Sequence, residues 1–211
     1  MVRVKICGIT NWADARDAVD AGADLLGFNF YLKSPRYIRP EAARRIIGRL
    51  PRRVEAAGVF VNASARSILR IAREADLNLL QLHADETPEG VRALARHYPV
   101  IKAFRVNPGF RVQRLERYSG ASAFLLDGFD RGRYGGTGKT FDWAVARRAK
   151  RYGPVVVAGG LTPENVGAAI AMVQPFAVDV CGGVEAAPGK KDARLMRALM
   201  AAVEAARRGL L

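Results

Sequence analysis

Several things are scarce in this chain, and each scarcity excludes something. Its 211 residues include only 2 cysteines, Cys7 and Cys181, too few for the disulfide framework of a small secreted fold. A reduced, cytoplasmic protein is therefore expected. Its 2 histidines, His83 and His97, stand apart from any cluster of cysteines or carboxylates at ligand spacing, so no metal site is expected. No run approaches the roughly 18 apolar residues of a spanning helix, and the opening Met1-Val-Arg-Val-Lys-Ile-Cys7 lacks a signal peptide's apolar stretch. Neither secretion nor a membrane partner is expected. Linkers rich in Gly, Ser or Pro and low-complexity segments are missing too, which reads as a single domain over residues 1–211.

Acidic residues are also in short supply. Asp and Glu total 20 against 34 Lys and Arg, giving a formal charge of +14, and 27 of the basic residues are arginine. Such an excess suits nucleic acid, an anionic membrane surface, or small anionic substrates steered by a positive field. Here the basic residues fall in scattered pairs, such as Arg44-Arg45, Arg52-Arg53, Arg147-Arg148 and Arg207-Arg208, with no basic tail or stripe. Solvated helix faces account for that pattern, and no nucleic acid partner is expected.

With 50% hydrophobic and 26% charged residues, the composition is that of a chain with one sizeable core. Eight short apolar runs read as buried strands: Val2–Ile6, Leu25–Phe30, Ala56–Val61, Leu77–Leu82, Val100–Phe104, Ala123–Leu126, Val155–Ala158 and Phe176–Val180. Helix-start signals lie between them at Thr10-Asn11, Thr87-Pro88-Glu89, Asn107-Pro108 and Thr162-Pro163-Glu164. Strand alternating with helix argues for parallel strands joined by crossovers. Eight units in this length predict an α/β fold, a (β/α)₈ TIM barrel; a doubly wound open sheet is the alternative.

In a barrel, chemistry belongs to the loops that follow the strands. Those loops here carry Cys7-Gly8, Arg36, His83, Asp127, Gly159-Gly160 and Cys181-Gly182-Gly183. Paired glycines after the seventh and eighth strands offer backbone N–H groups to a phosphate, or simply make tight turns. Gly138-Lys139-Thr140 resembles the end of an ATP-binding P-loop, but Arg133 stands where that motif needs glycine. Cys7 and Asp127 form an acid–base pair if both face one pocket; otherwise one is a small buried hydrophobe and the other a helix cap.

These motifs, taken in order, resemble one family. Val4-Lys5-Ile6-Cys7-Gly8-Ile9-Thr10, Lys33-Ser34-Pro35-Arg36-Tyr37, Gly58-Val59-Phe60-Val61-Asn62, Gln81-Leu82-His83 and Leu125-Leu126-Asp127 are similar to motifs of the phosphoribosylanthranilate isomerases of tryptophan biosynthesis. So are Gly135-Gly136-Thr137-Gly138-Lys139, Ala158-Gly159-Gly160-Leu161-Thr162-Pro163 and Gly183-Val184-Glu185. The resemblance implies an Amadori rearrangement of a small phosphorylated substrate, with no metal or organic cofactor, in a monomer or homodimer. It assigns Asp127 as general acid and Cys7, as thiolate, as general base. It also places Arg36 on the anthranilate carboxylate, the phosphate on N–H groups around Gly159, Gly160, Gly182 and Gly183, and the Gly135–Lys139 loop over the site. The histidine-pathway isomerase performs a similar rearrangement, but it resembles this chain less, using two aspartates where this chain has Cys7.

Departures from the family pattern lie at Leu32, where proline is common, at Ala84, where glycine is common, and at Cys181-Gly182, where serines are common. Barrel closure would bring Cys7 and Cys181 together, within reach of a disulfide if their Cα atoms lie within about 7 Å. Alternation along the strands places Lys5 and Asp179 on the inner face, where they are expected to pair and Lys5 to favour the Cys7 thiolate. Gln81 and His83 point the same way, with His83 expected in the pocket wall.

Overall fold

The expected apolar runs become strands because each buries both faces, which suits a parallel sheet covered by helices. The structure, a computed structural model, describes residues 1–128 and 140–210. Its barrel strands are β1 (Arg3–Cys7), β2 (Leu25–Asn29), β3 (Glu55–Phe60), β4 (Leu79–Leu82), β5 (Val100–Val106), β6 (Ala123–Gly128), β7 (Val155–Val157) and β8 (Ala177–Val180). They pair in chain order, all parallel, and β1 closes on β8. This is the (β/α)₈ barrel expected from the sequence.

Crossovers are supplied by α1 (Trp12–Ala21), α2 (Pro40–Ile47), α3 (Ala65–Ala75), α4 (Pro88–Ala95), α5 (Trp143–Ala149) and α6 (Val166–Val173), and α7 (Ala193–Arg208) follows β8. Two of the four expected helix starts behave as written. Asn11 accepts from the Asp14 N–H at the head of α1, and Thr87 accepts from the Gly90 N–H with Pro88 in the first turn of α4.

The other two differ. Asn107 accepts from the Gly109 N–H, and the Phe110 N–H returns to the Asn107 carbonyl, so that segment closes a turn. A 3₁₀ helix, Val112–Tyr118, then stands in place of an α-helix between β5 and β6. Thr162 does not start α6, because Asn165 uses its side chain to fasten the preceding loop, accepting from the Thr162 N–H and donating to the Gly160 carbonyl. The helix begins only at Val166.

Alternation divides the strand residues between two cores. Outward residues such as Val4, Leu26, Phe28, Leu80, Phe124 and Val178 are buried against the helices. Inward residues, among them Leu25, Ala57, Leu79, Ala103, Leu125 and Ala177, fill the barrel. Near the C-terminal ends the inward set turns polar, with Cys7, Gln81, His83, Asp127 and Asp179 all buried.

One outward-facing strand residue is a buried lysine. Lys102 on β5 donates to the carbonyls of Leu82 (3.3 Å) and Ala84 (2.6 Å) and to Glu86 (2.7 Å), using all three of its protons. Glu86 in turn accepts from the backbone N–H groups of Asn62 and Ala84. The loops after β3 and β4 are thereby tied to β5 on either side of His83. Among the described residues, no helix is long and apolar enough to cross a membrane.

Gly58 on β3 shows how closely the outer core is filled: a Cβ there would lie 2.3 Å from Leu77 Cδ1 and 2.9 Å from Phe60 Cε2. Gly58→Ala is expected to destabilise the protein by about 1–3 kcal/mol through overpacking. Thermal or denaturant unfolding measures this, and an unchanged midpoint would mean that Leu77 shifts without strain.

Candidate active site

The C-terminal ends of the strands surround a cavity of about 270 Å³. Cys7, Arg36, His83, Asp127, Gly159, Gly160, Gly182 and Gly183 all line it, so every site residue expected from the sequence faces one space. Gln81, Asp179 and Cys181 line it too. The Gly135–Lys139 loop lies outside the described residues.

Barrel closure builds the thiol side. Lys5 is paired in register with Asp179, and Ile6 with Val180, so Cys7 and Cys181 follow on adjacent strand ends. Both are free thiols, not a disulfide. Lys5 Nζ lies 2.8 Å from Asp179 Oδ1 inside the barrel, as the strand alternation predicts. Burial alone would lower the Lys5 pKa, but Asp179 and Cys7 raise it above its usual value, so it remains an ammonium. Burial, with Cys7 and Asp127 nearby, pushes Asp179 up to about 6 in spite of Lys5.

The Cys181 thiol, followed by the ammonium groups of Lys5 and Lys191, holds Cys7 well below the ordinary thiol range against the effect of burial. Cys181 moves the opposite way, raised by Cys7 and by burial. Of the two thiols, Cys7 is the one poised as a thiolate.

Across the cavity stands the carboxylate side. Asp127 is the penultimate residue of β6 and is 3% exposed, with Oδ2 lying 3.2 Å from His83 Nε2. Gln81 Nε2 lies 3.0 Å from His83 Nδ1, while His83 Nε2 is buried without a hydrogen-bond partner among the described residues in spite of its proximity to Asp127. Gly159 is required here for space: a Cβ would lie 2.7 Å from Asp127 Oδ1 and 2.2 Å from the Gly128 nitrogen, and its φ of 83° is left-handed. Gly183 is equally constrained, since a Cβ would sit 1.9 Å from the Leu161 carbonyl oxygen. The glycines after β7 and β8 thus let two loops approach each other closely.

A hairpin that sequence reasoning missed braces Arg36, which lines the cavity. After a 3₁₀ turn at Gly182–Val184, β9 (Glu185–Ala187) pairs antiparallel with β10 (Lys190–Lys191). Glu185 binds Arg36 with both oxygens: Nε lies 2.9 Å from Oε1 and 3.2 Å from Oε2, and Nη2 lies 2.6 Å from Oε2. Lys191 Nζ adds a 2.8 Å contact to Oε1. Burial would raise the Glu185 carboxyl, but Arg36 and Lys191 hold it below its ordinary range. Glu185 stood in a recognised motif without a role, and Lys190-Lys191 reads in sequence as a surface pair. Only the fold shows that the Lys191 side chain is fully buried.

The family profile described as N-(5'phosphoribosyl)anthranilate (PRA) isomerase matches residues 4–202. The chain belongs to this family. It is 50% identical over 197 residues to the N-(5'-phosphoribosyl)anthranilate isomerase of Geobacter metallireducens, covering 93% of this chain and 96% of that one. Among solved structures, the phosphoribosyl anthranilate isomerase of Thermotoga maritima superposes with a TM-score of 0.91 at 46% identity, covering 97% of this chain and all of the other. A phosphoribosyl anthranilate isomerase has also been solved in complex with reduced 1-(o-carboxyphenylamino)-1-deoxyribulose 5-phosphate. It superposes with a TM-score of 0.88 at 44% identity, covering 97% of this chain and 100% of that one. The chain is therefore an isomerase of the phosphoribosylanthranilate family.

A lowered thiol pKa leaves thiolate present at neutral pH, lost only as pH falls through the lowered value. Lys5→Met removes one of the charges that favour the thiolate, so the pH midpoint for alkylation of Cys7 by iodoacetamide should move upward. Alkylation at pH 7 should slow several-fold, read by mass spectrometry on the Cys7 peptide. A midpoint equal to the parent's would remove Lys5 as a tuning group.

Proposed function

We propose that the chain converts N-(5-phospho-β-D-ribosyl)anthranilate to 1-(2-carboxyphenylamino)-1-deoxy-D-ribulose 5-phosphate by an Amadori rearrangement, with Asp127 as general acid and Cys7 as general base. The observation that carries this reading is the placement of a poised thiol and a buried carboxyl group on opposite sides of one cavity. Cys7 ends β1 and Asp127 stands one residue before the end of β6, so a ribose chain between them meets a different group on each side.

The chemistry follows from the substrate. Asp127 delivers its proton to the ribose ring oxygen as the C1–O bond breaks, and the nitrogen lone pair forms a C=N bond to C1. The resulting iminium withdraws electrons from C2 and makes its hydrogen acidic. Cys7 thiolate removes that proton, and the C2–H electron pair moves into a C1–C2 double bond, giving an enolamine. Uptake of a proton at C1 and loss of the hydroxyl proton at C2 then give the aminoketose. Product and substrate are isomers, and no electrons are gained or lost.

Recognition uses the rest of the cavity. Arg36, a guanidinium fork, meets the anthranilate carboxylate. The phosphate is held by backbone N–H groups around Gly159, Gly160, Gly182 and Gly183, whose lack of side chains leaves those groups accessible. His83 stands beside the Asp127 carboxyl group, 3.2 Å away.

The test follows the fluorescence of freshly generated phosphoribosylanthranilate, which should fall on addition of the protein. Cys7→Ala and Asp127→Asn should each reduce the rate by about 10²- to 10⁴-fold. Inhibition by inorganic phosphate should persist in both. Parental turnover in either variant would remove that residue from the mechanism.

A further inference from the structure

Arg36 does not enter the cavity as a free cation. One edge of its guanidinium, Nε and Nη2, is already filled by the two oxygens of Glu185. Those oxygens are themselves fixed, because Oε1 also receives Lys191 Nζ at 2.8 Å and the Gly189 N–H at 3.3 Å. The hairpin that carries Glu185 is anchored in turn to the start of the chain. Thr10 donates to the Gly189 carbonyl at 2.7 Å, and Asp14 accepts from the Lys191 N–H at 2.9 Å. Gly8 gives the arginine stem its path, since a Cβ there would lie 2.6 Å from Arg36 Cδ.

A guanidinium has five N–H donors arranged as forks. With Nε and one Nη2 donor held by Glu185, the edge formed by Nη1 and the other Nη2 donor remains. Nη1 has no hydrogen-bond partner among the described residues. The two-point contact with Glu185 also fixes the plane of the guanidinium, and so the direction of the remaining edge.

We propose that Glu185 is the positioning residue that makes Arg36 selective: by occupying one edge of the guanidinium it aims the Nη1–Nη2 edge at an aryl carboxylate of the substrate. This rests on the reading of Arg36 as the partner of that carboxylate. Lys191 offsets the charge of Glu185, so the trio of two cations and one anion keeps a single positive charge for one carboxylate. Orientation, not accumulated charge, supplies the discrimination.

Substitution of Glu185 separates orientation from charge. Glu185→Gln raises the local positive charge, so simple attraction predicts tighter binding of the carboxylate. Loss of aim predicts the opposite. The readout is the ratio of kcat/KM for phosphoribosylated anthranilate to that for the same sugar phosphate joined to aniline, which lacks the carboxylate.

Arg36→Met should lower this ratio by about 10- to 100-fold. Glu185→Gln should lower it by about tenfold, and adding it to Arg36→Met should cost nothing further, because Glu185 acts through Arg36. Glu185→Asp, which keeps the charge but withdraws the fork by one methylene, should fall between parent and Glu185→Gln, and it carries the test if the glutamine variant fails to fold. A ratio unchanged by Arg36→Met overturns the reading of Arg36, and the proposal with it. A ratio that collapses in Arg36→Met but holds or rises in Glu185→Gln or Glu185→Asp leaves Arg36 in place and overturns the role of Glu185 alone.

Discussion

Closure of β1 on β8 is the constraint from which the site follows. The parallel register that seats Lys5 against Asp179 also seats Cys7 beside Cys181, one residue further along each strand than Ile6 and Val180. A slip of one residue would turn Lys5 and Cys7 outward, into the apolar layer under the helices. An ammonium there would have no carboxylate partner, a cost of several kcal/mol. The Lys5–Asp179 pair therefore acts as a register pin, and the thiol at the barrel mouth inherits its position from it.

The same logic applies at the other buried cations. Lys102, Lys191 and the half-buried Arg36 each meet a carboxylate; Lys191 does so within its own hairpin, while the partners of Lys102 and Arg36 lie 16 and 149 residues away. Lys102 joins β5 to the loop carrying His83, while Arg36 joins the loop after β2 to the hairpin after β8. Removal of either partner leaves a charge in a poor solvent for it. These pairs hold loops in place at the mouth of the barrel, where apolar packing gives way to polar walls. The surplus of basic residues thus includes a few that are buried or half-buried and paired with a carboxylate, and others, such as Arg16, Arg70 and Arg194, in exposed pairs that contribute little to stability.

Much of this was legible in the sequence. Eight apolar runs located eight strands, since buried parallel strands leave that signature, and period-two alternation placed Lys5, Cys7, Gln81, His83 and Asp179 on the inner face. Segments whose structure depends on particular side-chain hydrogen bonds, local or distant, were not legible. Asn165 delays α6 by fastening its own approach loop, and Asn107 closes a turn where a helix was expected. The hairpin is the clearest case. Nothing in Glu185-Ala-Ala-Pro-Gly-Lys-Lys191 announces burial, because Lys191 is buried by Glu185 and Asp14, and Asp14 lies 177 residues earlier.

That separation has a consequence for the order in which the enzyme comes into being. Cys7 and Arg36 leave the ribosome early and Asp127 well before the end, but β1 finds its second neighbour only when β8 has been made, and Arg36 finds its carboxylate only when residues 185–191 follow. Contacts of such long range form late, after most of the loop-closure entropy has been overcome. A nascent or truncated chain therefore carries a thiol, an arginine and a carboxyl group without their common geometry. The last quarter of the sequence assembles the site from residues that the chain before it had already supplied.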